Sequence, residues 1–164
     1  MNAAGGIATL AGVGYLRPAP GTWGSLVACA LAWAIHVLGG FWLLLAATIV
    51  AAFIGYFAIV SATRNSSHAD PSEIVIDELV GQWIALWPVS LGAMIAGVNF
   101  GELWPGIVAA FVTFRLFDIW KPGPVGWADR QGGPFSVMLD DVIAGWMAAL
   151  VVAVLAAVAH LPLL

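Results

Sequence analysis

The chain has 164 residues, of which 62% are hydrophobic and only 9% charged, whereas a soluble domain carries roughly 25% charged residues. A water-soluble fold of this size could not hide so much apolar surface, so the bilayer is its natural solvent. The formal charge of −4 argues against a nucleic-acid partner, and a lone cysteine, Cys29, excludes an intrachain disulfide and argues against a thiolate metal site.

Residues 1–15 are apolar and rich in small side chains but lack a basic leading segment. They read as a short interfacial or re-entrant helix rather than a secretory signal. Residues 26–63 are free of charge. At about 20 helical residues per crossing, that run holds two short helices, broken at Gly39-Gly40. The polar stretch 64–73 reads as a loop, with Pro71 and Ser72 as turn and cap residues. The next charge-free run, 79–101, begins just after Asp77-Glu78. Residues 103–114 are apolar and continue through Arg115, Asp118 and Trp120 to Lys121-Pro122, which should end that helix. A second polar loop spans 123–138, and 142–164 is long enough to cross once.

The expected architecture is therefore all-α: one membrane-embedded domain, 1–164, with five helices near 25–39, 41–62, 76–97, 103–120 and 140–160, plus the short N-terminal helix. The segment opening on Asp77-Glu78 and containing Gly81 is echoed by the one opening on Asp140-Asp141 and containing Ala144-Gly145. In both, an acidic pair is expected to open a helix. A small residue about one turn later would let two helices approach closely.

Counting crossings places the ends of these segments on two sides. All five basic residues (Arg17, Arg64, Arg115, Lys121, Arg130) fall on the same side as eight of the nine acids, and only Glu102 lies opposite. The positive-inside rule makes the charged side cytoplasmic.

Asp77, Glu78, Asp140 and Asp141 can be read as simple helix caps, since acids complement the helix dipole. One acid per helix would suffice for that, and four carboxylates on neighbouring helix ends repel unless a cation neutralises them. Oxygen ligands point to a hard ion such as Mg²⁺. Zinc is disfavoured because His36, His68 and His160 lack ligand spacing. His36 and His160 read as structural residues near the far interface. His68, in the polar loop, can be a proton donor to a leaving group or a plain loop residue. Arg115, Asp118 and Lys121 recur every three residues along one helix face. They read either as an internal ion pair or as functional charges at the membrane boundary. The stretch Pro20-Gly21-Thr22-Trp23-Gly24-Ser25 lacks the lysine of a Walker A loop. It fits either a helix cap or a phosphate cradle, with Thr22 and Ser25 as hydroxyl donors. Arg130 suits bidentate phosphate contact. Together these residues make a kit for metal-assisted phosphoryl chemistry at the cytoplasmic interface, where a phospholipid headgroup is a fitting substrate.

Three blocks then stand out: Pro20 to Leu26; Ile74-Val75-Ile76-Asp77-Glu78-Leu79-Val80-Gly81-Gln82-Trp83; and Phe114-Arg115-Leu116-Phe117-Asp118-Ile119-Trp120-Lys121-Pro122, running on through Asp129-Arg130 and Gly132-Gly133 to Leu139-Asp140-Asp141 and Gly145. In this order they resemble the phosphatidylglycerophosphatase A family. The resemblance implies a Mg²⁺-dependent phosphatase of a bacterial inner membrane. Its expected reaction converts phosphatidylglycerophosphate to phosphatidylglycerol at the cytoplasmic face. On that reading, Asp77, Glu78, Asp140 and Asp141 hold one or two Mg²⁺, and Asp118 is a further ligand or base. Thr22, Ser25, His68, Arg115, Lys121 and Arg130 bind the phosphate. Water and a carboxylate both remain open as nucleophile, and the oligomeric state is open as well. A phosphatase for phosphatidate or a polyprenyl phosphate is the nearest rival. The chain lacks the Ser-Gly-His pattern of acid-phosphatase-like lipid enzymes and the Asp-x-Asp nucleophile of haloacid-dehalogenase-type phosphatases. A small transporter is less well supported, since it would need acids at mid-depth.

Overall fold

A computed structural model of the chain describes residues 3–64 and 71–159. Those residues form six α-helices and no strand: α1 (Ala3–Ala8), α2 (Pro20–Thr63), α3 (Ile76–Ala96), α4 (Trp104–Trp120), α5 (Pro124–Asp129) and α6 (Gly133–Ala159). Short 3₁₀ turns lie at Val13–Tyr15 and Phe100–Leu103. The protein is an all-α membrane-type bundle in which α2, α3, α4 with its preceding turn, and α6 are long and apolar enough to cross a bilayer.

The break expected at Gly39-Gly40 lies inside α2. Gly40 has φ 65° and ψ −159°, a conformation that side chains with a β-carbon rarely adopt. The two legs, 20–38 and 41–63, run in opposite directions along α3. On the first leg Gly21 approaches Glu78, Ala28 accepts from Trp83 and His36 meets Ser90. On the second, Thr48 meets Trp87 and Gly55 packs on Ile76. At 1.5 Å per residue the legs measure roughly 28 and 34 Å.

Helix α3 is the axis of the bundle, with every residue from Leu79 to Leu86 buried. Its polar tethers to α2 are Trp83 Nε1 donating to the Ala28 carbonyl at 2.8 Å, Trp87 Nε1 donating to Thr48 Oγ1 at 3.2 Å, and a 2.7 Å hydrogen bond between His36 Nδ1 and Ser90 Oγ. Such bonds matter here because lipid exerts no hydrophobic force between helices. The outer surface is correspondingly apolar: Leu38, Trp42, Phe53, Ile95 and Leu150 are all exposed. So many exposed large apolar side chains are ill suited to water and natural in lipid.

Three boundaries differ from expectation. The first long helix starts at Pro20, not near 25, because proline at the first helical position lacks only an N–H that would be unpaired anyway. The polar loop 123–138 is mostly helical, containing α5 and the opening turns of α6. Asp140-Asp141 consequently sit two turns inside α6, so helix capping does not explain them, whereas Asp77-Glu78 lie in the first turn of α3. Helix α1 docks on the segment before α3: Val75 N–H donates to the Ala8 carbonyl at 2.9 Å, and Gly14 packs directly on the Glu73 backbone.

Candidate active site

The charged segments converge on one cavity of about 240 Å³ at the end of the bundle where α2, α3 and α6 begin and α4 ends. Among the described residues, five carboxylates (Asp77, Glu78, Asp118, Asp140, Asp141) and two cations (Arg115, Lys121) line it. Ala19, Pro20, Gly21, Ser72, Ile74 and Val137 complete the wall.

Within this set the acids divide by partner. Asp77, Glu78 and Asp141 each offer a carboxylate oxygen within 4.8 Å of the others. Asp140 stands apart: Oδ2 accepts from Lys121 Nζ at 2.7 Å, and Oδ1 accepts from the Asp141 N–H at 3.1 Å. Asp118 accepts a charge-assisted hydrogen bond from Arg115, whose Nη1 also lies 3.9 Å from Glu78 Oε1. The Arg115-Asp118 pair is thus the internal ion pair that their spacing allows.

Lys121 reaches the site by an unusual route. It caps α4 in a left-handed conformation, φ 47° and ψ 53°, with its N–H donating to the Phe117 carbonyl. The chain then turns into α5, whose Asp129 joins Asp140 of α6 in holding the Lys121 ammonium. Burial works against that charge, but the two carboxylates outweigh it and raise the Lys121 pKa above its ordinary value. Ser136 Oγ ties the end of α5 to α6 by donating to the Ala128 and Asp129 carbonyls at 2.6 and 2.9 Å.

The glycine-rich stretch serves clearance. A β-carbon on Gly21 would lie 2.2 Å from Glu78 Oε1 and 3.0 Å from Arg115 Nη1, and one on Gly24 would lie 3.0 Å from Val75. Ser25 is buried and donates to the Gly21 carbonyl at 2.9 Å. Neither Ser25 nor Thr22 lines the cavity. Arg130 is exposed and also stands off the cavity wall. His68 and His160 lie outside the described residues. Asp129 and Ser136 are supports that sequence reading did not assign.

The donor set fits a hard divalent cation. Its three clustered groups are all carboxylates, the oxygen donors such an ion prefers. Five carboxylates against two cations leave an excess of negative charge that would repel a phosphate, and a divalent ion would offset it.

Comparison with known proteins decides the family. The sequence profile described as Phosphatidylglycerophosphatase A matches residues 6–156. The chain belongs to the phosphatidylglycerophosphatase A family. A Haemophilus influenzae protein named Phosphatidylglycerophosphatase A is 37% identical over 142 residues, covering 86% of this chain and 81% of its own. The Escherichia coli protein of the same name is 31% identical over 139 residues, covering 84% and 74%. A Bacteroides thetaiotaomicron protein, named "Putative phosphatidylinositol-3-phosphatase", is 36% identical over 151 residues and 90% of each chain. No solved structure gives a significant match. As a member of the phosphatidylglycerophosphatase A family the protein is an enzyme, a phosphoric monoester hydrolase, embedded in a membrane.

Proposed function

We propose that this enzyme hydrolyses phosphatidylglycerophosphate to phosphatidylglycerol and phosphate, with Mg²⁺, at the cytoplasmic face of a bacterial inner membrane. The observation that carries this reading is the cavity: clustered carboxylates beside two braced cations, at the end of an apolar bundle. Membership of the family and the names of the Haemophilus and Escherichia relatives supply the substrate. The basic residues supply the side, since they gather by chain position at the cavity end of the helices.

Asp77, Glu78 and Asp141 would hold the cation, which when bound supplies neutralisation of phosphoryl charge and activation of the attacking group. Arg115 and Lys121 bind the phosphoryl oxygens. Their partners Asp118, Asp129 and Asp140 hold them in place before substrate arrives, so little reorganisation is needed as charge shifts in the transition state. Asp140 therefore serves Lys121 first. The boundary position keeps the lipid tails in the bilayer while the headgroup enters the cavity.

Purified protein in detergent should release phosphate from phosphatidylglycerophosphate with Mg²⁺ and stop with EDTA. Release no greater than from phosphatidate would defeat the assignment. Phosphatidylinositol 3-phosphate belongs in the same assay because of the Bacteroides relative, and its preferential hydrolysis would transfer the site to that headgroup.

A further inference from the structure

Gln82 is fully buried in α3, and neither its amide oxygen nor its amide nitrogen has a hydrogen-bond partner among the described residues. An unpaired amide is costly in any apolar interior and has no water to fall back on within a bilayer. Two further orphaned atoms belong to residues nearby: Glu78 Oε2 and Arg115 Nε. Glu78 and Arg115 face each other across 3.9 Å. Gln82 follows Glu78 by four residues on the same helix, a spacing that brings β-carbons within about 5–6 Å. The atoms are complementary in kind. The amide nitrogen is a donor for the Glu78 acceptor, and the amide oxygen is an acceptor for the Arg115 N–H.

We propose that Gln82 is a positioning residue whose amide closes on both neighbours, donating to Glu78 Oε2 and accepting from Arg115 Nε. Glu78 is then fixed with Oε1 turned toward the cation, and Arg115 keeps its terminal nitrogens for phosphate. This rests on the cation-and-phosphate reading of the cavity.

The test uses the full chain in detergent with Gln82→Met, which keeps length and removes both polar atoms. An idle buried amide replaced this way leaves stability unchanged or raised. The expected result is a folded protein with a lower Tm, because Glu78 Oε2 and Arg115 Nε are left unpaired, and with Mn²⁺ affinity, read by electron paramagnetic resonance, and kcat/KM both about 10- to 100-fold lower, the usual effect of removing an outer-shell partner. In a Glu78→Asp background, whose shorter carboxylate is out of reach, Gln82→Met should cause no further loss. Wild-type affinity and turnover in Gln82→Met would overturn the inference. So would an equal loss in both backgrounds, or the unchanged or raised Tm of an idle amide. Should wild type hydrolyse lipid without binding Mn²⁺, the cation reading fails while the kcat/KM cycle still decides Gln82. Should it bind Mn²⁺ but hydrolyse nothing, the affinity cycle decides it. Absence of both removes the site and this inference together.

Discussion

Gly145 of α6 lies against the backbone of Gly81 in α3: a β-carbon on Gly145 would sit 2.4 Å from the Gly81 carbonyl oxygen, and one on Gly81 2.6 Å from the Asp141 carbonyl oxygen. Each glycine follows an acid by four residues, Asp77 in one helix and Asp141 in the other. The contact therefore sets two helix backbones close enough for those carboxylates to share one cluster. Gly145→Ala has no flexible side chain to push aside, only backbone. It should destabilise the protein by about 1–3 kcal/mol and, by separating the helices, reduce kcat/KM by about 100-fold. Thermal unfolding and steady-state kinetics on the same preparation check both effects.

Asp77→Asn and Asp141→Asn should each cost more than about 100-fold in turnover, beyond what loss of an outer-shell partner costs. Both variants should fold, because each relieves repulsion in a carboxylate cluster. Asp141→Asn should also raise the Mg²⁺ concentration needed for half-maximal rate, read from a metal titration after EDTA treatment. Near-normal turnover in either variant removes that residue from the site.

Gly21→Ala places a methyl group 2.2 Å from Glu78 Oε1. Glu78 must turn away, so activity should fall at least ~10-fold while Tm changes little, since a side-chain end can yield where backbone cannot. Alanine at Gly97, whose added methyl would meet nothing within 4 Å, is the control for generic glycine loss; its φ of 65° predicts a cost in Tm but none in turnover.

Lys121 carries a raised pKa because the hydrogen bonds it donates to Asp129 and Asp140 outweigh burial. A lysine raised in the folded state contributes its full stabilisation below its unfolded pKa of about 10.4 and loses it only as pH climbs through the folded value. Lys121 should therefore add no alkaline limb to the activity profile from about pH 6 to about pH 9. Lys121→Met should lower kcat/KM about 100-fold by a factor that stays constant across that range. A ratio that shrinks toward alkaline pH would show the ammonium titrating and refute the bracing.

A reporter fused after Leu164 should lie on the non-cytoplasmic side, because α6 runs away from the cavity. One placed in the turn at Gly97 should lie on that same side. Cytoplasmic signal from either would invert the orientation.

Much of this was legible from residue types alone. Apolar runs between charged segments announced a helical membrane bundle, the Gly39-Gly40 pair announced the break, and the family blocks named the chemistry. The echo between the two acidic segments also pointed to a close helix pair, because small residues one turn past an acid have few other uses in lipid. The register of that echo was not legible. The sequence aligns Asp77 with Asp140, whereas packing of Gly81 on Gly145 matches Asp77 to Asp141 and turns Asp140 toward Lys121. Likewise, hydroxyl-bearing Thr22 and Ser25 suggested a phosphate cradle, but the first turn of α2 approaches Glu78 so closely that its glycines are needed as empty space. Composition and charge order determined the solvent, the bundle and the end at which the chemistry sits, since each depends on whether residues suit lipid or water. Which carboxylates cluster together and which braces a lysine was decided only by tertiary structure, because that depends on backbone separations of a few ångströms set by contacts far apart in the chain.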